Sequence, residues 1–381
     1  MVRIAFRSLL KPIHTWTGLV FGLLLSVSAL TGSVILFRAE LERAALPRST
    51  TTQGARIAPL DRAVSAIAKL RPDGRIRRVH LPASLYDPYI FQVESRDKRI
   101  EKIASDAVTG EPLGVIQTGW IDWLIDLHRN LLTGKQGRRA VGFVGLALFL
   151  LSLSGIAMWA AGVRRWSSWL TIRRQGSNRR FLFEVHRTVG LWAFCVLAVI
   201  SVTGMERAFP ATFRDVLLGN QGSRAPRTTA KKLKARTRLQ LGDYVRIGQA
   251  AMPDGVPVEL RLGGGPVELR LLRSGDIPPA ANYVYLNPAN GEPLGVDRLE
   301  DRPLAARVLA DMEPIHYAQW GGTPLKVVWA LFALTPILLL ITGLMVWLRK
   351  GVRKPIAQTA NAPNPELAEI YEVAESSIRE S

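Results

Sequence analysis

Four of the five histidines in this 381-residue chain stand at places that repeat. "HTWTGLVFGLLLSVSALTG" at 14 to 32 aligns without gaps on "HRTVGLWAFCVLAVISVTG" at 186 to 204, which matches His14 with His186, Gly18 with Gly190, and Thr31-Gly32 with Thr203-Gly204. His128 precedes Gly155 by 27 residues, and His316 precedes Gly343 by the same 27. An imidazole can ligate a metal or pass a proton. Ionisable groups in or beside a membrane are costly and are kept for function.

The chemistry open to these residues is narrow. The chain has one cysteine, Cys195, so there is no disulfide framework, no thiolate metal cage and no CxxCH site for covalent haem. No HExxH, HxxxH or acidic-histidine cluster offers zinc or copper a compact site. A proton relay lacks carboxylates within the apolar runs to pass protons along. Two imidazoles from different helices at one depth can hold a haem iron axially with neither thiol nor covalent link. The residues therefore point to two non-covalent, bis-histidine b-type haems, one held by His14 and His186, the other by His128 and His316. Gly18 and Gly190 lie one turn beyond the first pair and clear a flat slot. Gly32 and Gly204 lie 18 residues on from the same histidines, five whole turns and about 27 Å along one face, and open the bundle again near the second pair.

Four apolar runs long enough to cross a bilayer position these histidines, at about 16 to 37, 140 to 161, 187 to 205 and 327 to 348. The organisation expected is a first segment 1 to 13, a retained first span 14 to 37, a polar segment 38 to 125, a second span 140 to 161, a loop 162 to 185, a third span 186 to 205, a second polar segment 206 to 315, a fourth span 325 to 348 and a tail 349 to 381. Arg164, Arg165, Arg173, Arg174, Arg179 and Arg180 crowd the short loop, and Arg349, Lys350, Arg353 and Lys354 follow the last span. The positive-inside rule puts that loop and both termini in the cytoplasm and both long segments outside. Part of the net charge of +19 is this signature, and the run 224 to 238 reads as a solvated linker or a patch near anionic headgroups, with no nucleic-acid partner.

Each outer segment reads as a small α+β module. "APLDRAVSAIAKL" has helical periodicity, with strand-like runs following near 75 to 81, 88 to 94, 100 to 107 and 113 to 116. In the second, "LQLGDYVRIGQAAM" is the helix and "VPVELRLGGGPVELRLL" is two strands about a glycine turn, which opens no helix and so binds no nucleotide. "VTGEPLGV" at 108 to 115 returns as "ANGEPLGV" at 289 to 296. In "WIDWLIDLHRNLL" the residues Trp120, Trp123, Leu124, Leu127, His128 and Leu131 share a face, as in an interfacial amphipathic helix. His80 has no counterpart and reads as a structural residue.

These marks, and above all the D-x-x-T-G-E-P-L-G of Asp106 to Gly114, resemble the PepSY-associated transmembrane proteins of bacterial inner membranes over nearly the whole chain. The second copy departs from the motif, with Asn287 for the aspartate and Asn290 for the threonine. Within that family the chain looks most like the di-haem, ferrioxamine-linked siderophore reductases. The resemblance implies a multi-pass inner-membrane protein, a four-helix transmembrane bundle with two PepSY-like periplasmic modules, and an oxidoreductase. Its substrate would be a ferric siderophore of hydroxamate type, and its electrons would come from a cytoplasmic or quinol donor. Trp120, Trp123, Tyr317 and Trp320 would form an interfacial belt or a docking surface. Two other readings stand beside it: a sensory or regulatory binding protein without redox activity, and a siderophore permease component.

The orientation is directly testable. Reporters fused after residue 60 or 230 should be active outside the cytoplasm, and reporters in the 162 to 185 loop or at the C-terminus inside it. Cytoplasmic activity at 230 would invert the arrangement.

Overall fold

A computed structural model describes residues 2–46, 55–117, 119–160, 170–174, 176–219, 239–277 and 281–349. The basic run 224 to 238, Arg164, Arg165 and the tail beyond Arg349 lie outside the described residues. Four helical segments, Arg7–Ile35, Gly134–Ala160, Asn178–Ala208 and Gln319–Leu348, are long and apolar enough to span a membrane, with mean hydropathies of 2.0 to 2.3. Their outward faces carry Val20, Leu23, Trp192 and Leu331, each more than 60% exposed. Such faces are stable only against lipid.

The first span belongs to α1 (Val2–Ile35). A short helix, α2 (Arg38–Ala44), continues from it. The second span is α5 (Gly134–Ala160) and the third is α6 (Asn178–Ala208). Both histidine-bearing helices start before the apolar runs do: α1 places His14 well inside helix, and α6 begins where Ser177 accepts a hydrogen bond from the Arg180 amide. The fourth span, expected as one helix, is two: α10 (Gly322–Ala333) and α11 (Thr335–Leu348). Pro336 has no N–H for the Phe332 carbonyl, and the Thr335 hydroxyl donates to that oxygen instead at 2.6 Å. α1 touches α5 and α11, and α6 touches the same two, so the first and third spans lie diagonally across the bundle.

Outside the bundle the two polar segments do not form two separate modules. The first supplies α3 (Leu60–Leu70), β1 (Arg75–His80), β2 (Tyr89–Glu94), β3 (Ile100–Ser105) and β4 (Pro112–Val115). Two short helices flank the later spans: α4 (Gly119–Asn130), ahead of α5, and α7 (Pro210–Leu218), which follows α6. The second segment then supplies α8 (Leu241–Ala251), β5 (Val256–Arg261), β6 (Val267–Leu272), β7 (Asn282–Leu286), β8 (Pro293–Asp297) and α9 (Leu304–His316). All eight strands form one antiparallel sheet in the order β4-β3-β2-β1-β5-β6-β7-β8. The seam pairs Val79 with Leu260 and His80 with Glu259. Each half alone would leave its first strand as an open edge, and pairing the two edges removes both. One core results, in which Ile67, Val79, Phe91 and Ile103 of the first half pack with Tyr244, Leu260, Leu269 and Val284 of the second. Asp61 of α3 also accepts the Gly242 amide in the first turn of α8, at 2.9 Å.

His80 belongs to this seam. Its Nδ1 is 3.4 Å from Glu259, and burial holds its pKa below the usual value. The repeated "GEPLGV" phrase is a turn: the Asp106 carboxylate accepts the Val108 and Thr109 amides, Asn287 accepts the Ala289 amide, and Gly110 and Gly291 take φ of 75° and 74°. Asparagine thus builds the same turn as aspartate, because only the acceptor oxygen is used. In α4 the packed face is not the tryptophan face. Ile121 and Ile125 are buried on the side of His128, whereas Trp120 and Trp123 are more than half exposed.

Because the core is shared, a cavity in one half should loosen both. Phe91→Ala should cost about 3–5 kcal/mol, and hydrogen exchange should rise in β5 to β7 as well as in β1 to β3. Protection retained in β5 to β7 would mean two independent units.

Candidate functional site

The four repeated histidines meet in two pairs. His14 of α1 and His186 of α6 face each other from the two diagonal helices, with ring centroids 6.2 Å apart and planes at 86°. His128 of α4 and His316 of α9 form the second pair, on the side of the sheet, with centroids 6.5 Å apart and planes at 42°. Metal-bound imidazole nitrogens stand about 2.0–2.1 Å from the ion and about 1.1 Å in front of their ring centroids, so two rings on opposite sides of one ion have centroids about 6.3 Å apart. Both separations are of that size.

Each Nδ1 is already occupied. His14 Nδ1 lies 2.8 Å from the Ser154 hydroxyl, His128 Nδ1 3.1 Å from Thr31, His186 Nδ1 3.1 Å from Thr342, and His316 Nδ1 2.9 Å from Thr203. Every one of those hydroxyls donates its own proton to the carbonyl four residues back, at Leu150, Val27, Leu338 and Val199, over 2.7 to 2.8 Å. With its proton committed, the hydroxyl accepts from Nδ1–H. His186 has a second acceptor, the Leu339 carbonyl at 3.0 Å. The proton therefore sits on Nδ1, and Nε2 is left as a free lone pair. Burial reinforces this on the sheet side, lowering the pKa of His128 to about 4 and that of His316 to about 3, so both are neutral at ordinary pH.

A glycine follows each hydroxyl, and a ring rests on it. A Cβ at Gly32 would lie 2.9 Å from His128 Cε1, at Gly204 3.3 Å from His316, at Gly155 3.6 Å from His14, and at Gly343 3.2 Å from His186. Gly32 and Gly204 thus stand at the sheet-side pair, as their spacing predicts. Gly18 and Gly190 are not beside a ring: each faces a leucine methyl at 3.7 Å, on Leu151 and Leu339. Sequence reasoning did not assign Ser154, Gly155, Thr342 and Gly343 to the site. The signal was present, since Ser154-Gly155 and Thr342-Gly343 repeat the Thr-Gly phrase in the second and fourth spans.

A cavity beside the sheet-side pair is walled by all four spans, and its lining on α1 runs from Leu25 to Ile35, about 15 Å at 1.5 Å per residue. Among the described residues no group of three or more His, Cys, Asp or Glu could enclose a metal ion. Two facing imidazoles beside an apolar cavity, as at His128 and His316, are an arrangement that could hold an axially ligated planar metal complex.

Residues 12–350 match the family described as the PepSY-associated TM region. The chain belongs to that family. It is also similar to an uncharacterized protein of Pseudomonas aeruginosa, PA4219, at 28% identity over 267 residues, which is 62% of this chain and 66% of the relative, just under two thirds of its length. In this PepSY-associated TM protein the match takes in all four histidines and all four hydroxyl-glycine pairs.

The glycines separate ring support from general packing. Gly32→Ala should push His128 off Thr31 and destabilise the protein by about 1–3 kcal/mol in a detergent unfolding titration. Gly18→Ala, at ordinary contact distance, should leave stability equal or higher by up to about 1 kcal/mol. Equal losses at both would mean that His128 does not depend on Gly32.

Proposed function

We propose that this protein is a di-haem b reductase of the bacterial inner membrane, carrying electrons outward to reduce Fe(III) held by a siderophore. The observation that supports it best is the pair of facing imidazoles at each of two depths, each ring with its Nδ1 proton committed to a hydroxyl. His14 and His186 would hold one haem, and His128 and His316 the other. A haem iron with two histidine ligands takes up and returns one electron without exchanging either ligand.

In this reading the sheet lies in the periplasm and both termini in the cytoplasm. The His14–His186 pair stands near a cytoplasmic or quinol donor, and the His128–His316 pair near the external substrate. Along α1 the two levels are 18 residues apart, roughly 27 Å at 1.5 Å per residue, so two sites in series bridge the apolar thickness. The hydroxyls would hold each ring in place with its proton on Nδ1, leaving Nε2 to face a bound metal. The substrate would gain one electron per iron. Hard oxygen donors such as hydroxamates hold Fe(II) less tightly than Fe(III), so the metal is released.

Purified protein should be red, with about two low-spin haems per chain. His14→Ala or His186→Ala should deplete the haem remote from the sheet, and His128→Ala or His316→Ala the other. Either loss should abolish reduction of an external ferric hydroxamate in vesicles with an internal donor. A colourless, well-folded preparation from haem-replete cells would favour the sensory binding protein instead.

A further inference from the structure

The cavity beside His128 and His316 contains one feature that ligation of iron does not use. Trp329, on α10, lines this cavity and is 8% exposed. Its indole nitrogen is shut off from solvent and has no hydrogen-bond partner among the described residues. An indole N–H only donates, and a buried donor left unpaired is costly. The ring is held edge-on by Trp320, with centroids 6.3 Å apart and planes at 84°. Much of the cavity wall is apolar, made by Leu25, Ala29, Leu148, Leu197 and Ala333.

Trp329 lies near the sheet-side end of the cavity. The Ser33 hydroxyl reaches the Ala330 carbonyl at 3.3 Å, which sets Trp329 close to the level of Gly32, where His128 rests. One turn further out on α10, Lys326 is paired with Glu40 at 2.6 Å, so its charge is already answered. The indole is a donor left over and the one shut off from solvent; the Ser28 and Tyr317 hydroxyls also line the cavity. A planar macrocycle bound by the histidines has one edge that bears carboxylates. That edge must lie at the polar end of the slot, since a carboxylate among leucines would be uncompensated.

Resting on the haem reading, we infer that Trp329 is a positioning residue that donates its indole N–H to a carboxylate of the cofactor at the His128–His316 site. This hydrogen bond fixes which edge of the ring faces outward, and the histidines alone do not.

The test uses the full-length protein loaded with haem. Transfer of haem to excess apomyoglobin is followed by absorbance, and the phase belonging to the sheet-side site is identified in the His14→Ala background. Trp329→Phe should keep both haems and speed that phase on the order of tenfold, since a hydrogen bond to a charged group is lost; the other phase should not change. A second measurement needs no Trp329 variant. The indole N–H band in ultraviolet Raman should report one fewer hydrogen-bonded tryptophan in His316→Ala, which lacks the sheet-side haem, than in the parent. An unchanged release rate in Trp329→Phe, or an unchanged indole band should that variant fail to fold, overturns the role of Trp329 while leaving the haems in place. A parent protein with no haem at all overturns both readings.

Discussion

An imidazole offers a lone pair from one nitrogen only if its proton is held on the other. In this protein that condition is met four times by one device, a serine or threonine whose own proton is committed to the preceding turn of its helix. The hydroxyl cannot act in this way unless it lies beside the ring, and the ring cannot lie there unless the next residue has no side chain. The rotation of every span about its axis follows from these two demands. It fixes which faces turn inward and leaves the rest to lipid.

The relays also knit the halves in an ordered way. Within the first half, His14 on the first span is served by Ser154 on the second, and His128 ahead of the second span is served by Thr31 on the first. The second half repeats this with His186 and Thr342, and with His316 and Thr203. The facing rings, by contrast, always come from different halves. Hydrogen bonds therefore close each half on itself, and the ring pairs join the halves across the diagonal of the bundle. The sheet makes a further junction, where Val79 meets Leu260 at the seam.

Much of this was legible because the chain repeats. The repeat matches His14 with His186 and His128 with His316, and alternation of apolar residues marks β1 to β6 to within a residue or two, whereas β7 and β8 are not read as strands. Two kinds of feature were hidden. The β1–β5 seam joins segments about 180 residues apart, and no turn chemistry marks a pairing between edges that are not neighbours in sequence. The hydroxyls were hidden for a different reason: serine and threonine in an apolar helix commonly satisfy themselves on their own backbone, and these four do so as well. What distinguishes them is the following glycine, and that signal is clear only when all four copies are set side by side. The tryptophans of α4 read as an interfacial belt and are more than half exposed, while Ile121 and Ile125 carry the packing. At a membrane boundary the apolar body and polar edge of tryptophan suit an exposed position.

The two pairs are held by different means. His14 and His186 lie within long helices whose backbone is fixed along the whole span, so their positions follow from the packing of the bundle. His128 and His316 sit near the ends of short helices. α4 is pinned by Ile121 and Ile125 against Ile35 and by Lys102 of β3, which reaches Asp122 at 3.0 Å and Glu42 at 3.2 Å. α9 is tied to the end of α6 by Arg207 and Glu313 at 2.8 Å. These ion pairs are partly exposed and each contributes on the order of 1 kcal/mol or less. The apolar contacts hold the helices down, and the ion pairs set where they stand. Because β3 reaches α4 through Lys102, the sheet belongs to the support of the nearer histidine pair.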